Sequence, residues 1–147
     1  IVRDVTPYVT GISESRGGSG NPSPVTAYGV YLGMKAAAKQ QFGSDVLNGR
    51  KVLVQGIGHV GEILVDYLTK EGAIVTIADI NEEKLTEVGA KYHAEIFRGE
   101  DLYSAEVDIY APCAMGATLN DDTVYKIKAK NSNNNIIELS GDITLIR

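Results

Sequence analysis

The stretch from Lys51 to Asp79, KVLVQGIGHVGEILVDYLTKEGAIVTIAD, constrains the fold more than any other part of the chain. It opens on Val52-Leu53-Val54, the kind of apolar, β-branched run that fills buried parallel strands. It then turns through Gly56-Ile57-Gly58-His59-Val60-Gly61. Apolar residues recur at Val60, Ile63, Leu64, Tyr67 and Leu68, the spacing of one helical face, and Gly72 is placed to stop that helix. A second β run, Ile74-Val75-Thr76-Ile77, leads to Asp79. Strand, glycine turn, helix, strand and terminal acid are together the parts of a dinucleotide-binding βαβ unit.

Each part has a physical job. Gly56 permits the tight turn out of the strand, Gly58 lets a pyrophosphate approach bare backbone, and Gly61 lets the helix pack against the sheet. Ile57, His59 and Val60 fill the rest of the turn. The helix N-terminus presents unpaired N–H groups and a partial positive charge to the phosphates. Asp79, eighteen residues past Gly61, can accept hydrogen bonds from the adenosine ribose. A 2′-phosphate there would meet a negative charge, and no arginine follows in Ile80-Asn81-Glu82. NAD is favoured over NADP.

Around this unit the spacing predicts one three-layer α/β domain: Rossmann-type, doubly wound, with a mainly parallel sheet and helices on both faces. Residues 1–24 read as a lead-in and 25–147 as the nucleotide-binding domain. The Ser-, Gly- and Pro-rich tract from Ser13 to Pro24 reads as a flexible link. Ser23 is expected as a helix cap with Pro24 at the first helical position. Val25, Tyr28, Gly29, Leu32 and Ala36 form the expected inward face of a helix running to about Phe42. After Asp79, Asn81 caps a helix that starts with Glu82-Glu83 and turns Leu85 and Val88 inward. A short strand is expected within Tyr92–Phe97, another over Val107–Tyr110 ending in a turn at Ala111-Pro112-Cys113-Ala114, and a last one over Ile136–Leu139. Asn120 is expected to cap one more helix, with Val124 and Ile127 inward.

Composition narrows the function classes. A net charge of −5 without a basic run argues against nucleic acid or an anionic membrane as partner. No apolar run approaches the roughly 18 residues of a membrane span. One cysteine, Cys113, and no signal-peptide pattern point to the cytoplasm. The absence of an initial Met suggests that the chain begins partway through a longer protein. The acidic pairs Glu82-Glu83 and Asp121-Asp122 complement helix dipoles, and no metal is implied.

Several segments resemble the glutamate, leucine, phenylalanine and valine dehydrogenase family, its leucine dehydrogenases in particular. They are Gly20-Asn21-Pro22-Ser23-Pro24-Val25-Thr26-Ala27-Tyr28-Gly29-Val30, Gly33–Ala38, Gln55–Gly61, Ala78–Asn81 and Ala111–Ala114. The resemblance implies NAD-dependent oxidative deamination of an L-amino acid, leucine or a similar branched-chain one, to the 2-oxo acid and ammonia. It assigns Gly56 through Gly61 to the pyrophosphate, and Asp79 with Ile80 to the adenosine ribose side. It sets Thr26 at the nicotinamide amide, Ala111 and Cys113 beside the nicotinamide ribose, and Thr10 near the substrate side chain. A homo-oligomeric full-length enzyme is also implied.

Two departures accompany the resemblance. Family members carry their catalytic lysines and aspartate in a separate N-terminal domain without a match here, so no catalytic residue is assigned and the chain alone is expected to be inactive. After Lys130, the family's strand and Asn turn are replaced by Asn131-Ser132-Asn133-Asn134-Asn135 and Ile136–Asp142. If Ile136–Leu139 is the strand, the favoured alignment, the expected Asn falls near Gly141 and one nicotinamide contact is lost; if the Asn131–Asn135 run is itself the turn, the strand before it is missing. Two rival readings remain open: a regulatory module that senses NAD without catalysis, and a remnant that binds nothing.

Overall fold

The computed structural model describes residues 5–6, 12–116 and 118–127. The strand expected at Ile136–Leu139 and the candidate Thr10 lie outside these residues. Four parallel strands form one sheet: β1 (Lys51–Gln55), β2 (Ile74–Ala78), β3 (Glu95–Ile96) and β4 (Ile109–Pro112), in the order β3-β2-β1-β4. The helices are α1 (Ser23–Phe42), α2 (His59–Glu71) and α3 (Glu82–Tyr92). The expected α/β architecture with a parallel sheet is what the chain forms.

Sequence chemistry explains the central unit. β1 is buried on both faces, so its alternate side chains feed two cores. Val52 and Val54 join Ile77, Ile109 and Ala111 under the helices, while Leu53 joins Tyr110, Val107 and Ile127 on the other side. Each fully buried Leu or Ile adds about 1.5–3 kcal/mol of hydrophobic stabilisation. All three helices contribute to the first core, through Met34 and Ala38, Leu64 and Leu68, and Leu85 and Val88. Among the described residues, the opposite face is covered by irregular chain carrying two single 3-10 turns, Leu102–Ser104 and Val124–Lys126.

Several expectations need correcting. Helix α1 begins at Ser23, with Pro22 at the cap position, so Pro24 occupies the second helical position. Its expected inward face is its outer one: Val25, Tyr28, Gly29, Leu32 and Ala36 are exposed, and Ala27, Met34, Ala37 and Ala38 are buried. Both stripes are apolar, so periodicity could not choose between them; docking against α2 did. On α2, Val65 is buried with Leu64 and Leu68, whereas Val60, Ile63 and Tyr67 are half-buried. The tract before α1 is built from turns, with Gly18 N–H donating to Ser13 O and Gly20 N–H to Ile12 O.

The fourth strand starts two residues later than expected. Lys51 N–H donates to the Asp108 carboxylate at 2.9 Å and Asp108 N–H to Lys51 O, which fixes Ile109 opposite Val52. Ala111 and Pro112 therefore extend the strand, and Cys113 N–H closes it by donating to Gln55 O. Pro112 is tolerated because β4 is paired on one side alone among the described residues. After Asn120 the described chain forms the short 3-10 turn, not the expected longer helix, although Ile127 is buried as expected.

Candidate functional site

Strand order reverses between β1 and β4: β2 and β3 extend the sheet on one side of β1, and the chain then crosses over to lay β4 on the other. Crevices at such switch points, beyond the C-terminal strand ends, are where open α/β sheets take ligands. A cleft of about 630 Å³ opens there. Its walls include Gln55, Gly56 and Gly58 from the first turn, Ala78, Asp79 and Ile80 after β2, and Cys113, Ala114 and Met115 after β4.

The glycine turn is built as its spacing requires. Gly56 has a φ of +88°, and a Cβ there would lie 2.5 Å from Ala114 N, so a side chain is excluded by both conformation and space. A Cβ on Gly61 would come within 1.9 Å of Gly56 O, so the first turn of α2 lies directly on the glycine turn. At Gly58, by contrast, a Cβ would meet nothing within 4 Å. Its bare backbone faces the cleft, which leaves room for a bulky anion at the start of α2.

Asp79 ties the two halves together. Its Oδ2 accepts from Ile57 N–H at 2.7 Å and its Oδ1 from Asn81 N–H at 3.0 Å. Each carboxylate oxygen keeps a lone pair for a further donor, so two vicinal hydroxyls can be received on the cleft side. Asn81 in turn accepts from Lys84 N–H and caps α3 as expected. Beneath the turn, the buried Tyr110 hydroxyl donates to the Gln55 side chain. Burial, with smaller contributions from Tyr103 and Cys113, pushes the Tyr110 hydroxyl well above the ordinary tyrosine value, which keeps it a neutral donor.

The expected site residues divide into those that meet at the cleft and those that do not. Gly56, Gly58, Asp79, Ile80 and Cys113 line it together, Ile80 with its side chain fully exposed at 102%. The Ile57 side chain is buried in the core, and its N–H is taken by Asp79. His59 is exposed and Val60 half-buried at the start of α2, away from the lining. Ala111 is buried in β4. Thr26 lies in the first turn of α1, outside the lining, and its hydroxyl donates to Pro22 O at 3.1 Å. Sequence reasoning missed Phe97, Leu102 and Met115 as walls of the cleft. Phe97 and Leu102 lie on the connection between β3 and β4 and Met115 lies beyond β4, and no local spacing announces them.

Comparison with known proteins agrees with this geometry. The profile described as Glutamate/Leucine/Phenylalanine/Valine dehydrogenase matches residues 17–82. A leucine dehydrogenase from Bacillus subtilis is 53% identical over 130 residues, which is 88% of this chain and 36% of that protein. A phenylalanine dehydrogenase from Lysinibacillus sphaericus is 40% identical, covering 85% of this chain and 34% of its own length. Among solved structures, the L-tryptophan dehydrogenase of Nostoc punctiforme superposes with a TM-score of 0.69 at 39% identity, over 74% of this chain and 33% of that one. The chain thus spans about a third of the length of the relatives it matches. Over that span, sequence and geometry place it in one group: it belongs to the glutamate/leucine/phenylalanine/valine dehydrogenase family.

Proposed function

We propose that the chain is the NAD-binding part of an amino-acid dehydrogenase that oxidatively deaminates a branched-chain L-amino acid, leucine or a close analogue. The observation that carries this reading is the glycine turn held by Asp79 beside an open Gly58 backbone. Gly58 and the first N–H groups of α2 receive the pyrophosphate, and Asp79 the adenosine ribose hydroxyls. Cys113 borders the nicotinamide ribose, with Ala111 holding the strand behind it. The family resemblance adds two further roles to this reading: Thr26, outside the cleft lining, would meet the nicotinamide amide, and Thr10, outside the described residues, would serve the substrate side chain. Leucine is favoured over an aromatic substrate because the leucine dehydrogenase is the closer of the two curated relatives, 53% against 40% identical.

Bound NAD would accept a hydride from the amino acid, leaving an imino acid that water converts to the 2-oxo acid and ammonia. That step also needs a base for the substrate ammonium and groups that hold its carboxylate. No lysine or histidine lines the cleft among the described residues. Those groups would come from the remainder of a protein of the relatives' length, which in this reading assembles as a homo-oligomer. Positioning alone is worth roughly 7–11 kcal/mol of such a barrier. The chain by itself, with saturating NAD and leucine, is therefore expected to give no rise in NADH absorbance, whereas a protein extended to the relatives' length turns leucine over. Turnover by the chain alone, or an extended protein inert towards leucine, valine and isoleucine, would overturn the proposal.

A further inference from the structure

We propose that the Glu82–Arg98 ion pair is a second determinant of which dinucleotide the cleft accepts: Glu82 holds a guanidinium at the rim and so keeps it from a 2′-phosphate. The proposal rests on the cofactor reading above and deepens it. Arg98 Nη1 donates to both carboxylate oxygens of Glu82, at 2.9 and 3.2 Å. Glu82 lines the cleft three residues after Asp79, and Phe97 and Gly99, which flank Arg98, line it as well. The charged residues of the lining are Asp79, Glu82 and Glu100, with no lysine or arginine among them. A dianionic phosphate at the adenosine 2′ position would thus meet carboxylates, while the nearby cation is engaged by one of them.

The two acids are not equivalent. Asp79 also accepts from Ile57 N–H, so replacing it strips the glycine turn of an acceptor and weakens any dinucleotide. Glu82 makes no such bond to the turn; its partner is Arg98, on the loop after β3. Selectivity at Glu82 is therefore separable from the integrity of the phosphate turn. Guanidinium is the group best suited to take a released 2′-phosphate, through paired N–H donors.

The test is the ratio of NADP to NAD dissociation constants, titrated on the same sample of the parent, Glu82→Gln, and Glu82→Gln with Arg98→Ala. Because both ligands share one sample, any loss of folded protein cancels in the ratio. Glu82→Gln is expected to shift the ratio about tenfold towards NADP, the scale of one charge-assisted contact. Adding Arg98→Ala is expected to return it close to the parent value. An unchanged ratio in Glu82→Gln, or a gain that survives removal of Arg98, would overturn the proposal. A parent that binds NADP as tightly as NAD would sink the NAD assignment instead; the shift between variants is read independently of that value.

Discussion

Gly58 and Gly61 stand three residues apart and answer to different demands. Gly58 has a φ of −64°, within reach of any residue, and open space where its Cβ would be. Gly61 is pressed against Gly56 O. Gly58→Val should therefore leave the circular dichroism and melting temperature near the parent's while NAD affinity drops tenfold or more, since the side chain would fill the proposed pyrophosphate approach. Gly61→Ala should instead lower the melting temperature, because the turn must move to admit the methyl group, at a cost of about 1–3 kcal/mol. Calorimetry and thermal melts on both variants check the contrast. An unaffected NAD affinity in Gly58→Val would place the phosphate site elsewhere.

Between elements, the clasp of α1 on α2 is the most exposed to chemistry. The Glu71 carboxylate at the end of α2 accepts from Tyr31 Oη at 2.5 Å, Lys35 Nζ at 2.6 Å and Leu47 N–H at 3.0 Å. Burial alone would raise the Glu71 pKa, but the Leu47 amide, Lys35 and Tyr31 outweigh it and hold it below the ordinary glutamate value. Lys35 is raised, chiefly by its bond to Glu71, so both charges are present at neutral pH. A depressed carboxylate stabilises the fold fully above its unfolded value of about 4.3, and this is lost as pH falls through the lower folded value. Glu71→Gln should thus cost about 1–2 kcal/mol at pH 7 and progressively less in acid, below pH 4. Melts across that range measure it; a gap that stays constant into acid would contradict the account. The same scale shows what the chain alone reveals. The βαβ boundaries, Gly72 and the Asn81 cap are set by residues within a few positions of one another, and they were legible. The inner face of α1 and the start of β4 are settled by partners far along the chain, α2 for one and Lys51 for the other, and local spacing could not supply them.

At the scale of the molecule, a parallel sheet in the order β3-β2-β1-β4 directs a glycine turn, an acid and the end of β4 into one cleft. The sequence pattern foretold the meeting of turn and acid because both lie within Lys51–Asp79, whereas the end of β4 was brought to them only by the family resemblance. It did not foretell the Ile57–Asp79 bond or the Tyr110–Gln55 bond, which join positions 22 and 55 residues apart. The proposed function requires this cleft to be a dinucleotide site closed to a 2′-phosphate by acidic groups. Titration calorimetry of the purified protein with NAD and with NADP tests it most directly. NAD is expected to bind in a one-to-one ratio and more tightly than NADP; no binding of NAD, or NADP binding as tightly as NAD, would contradict it.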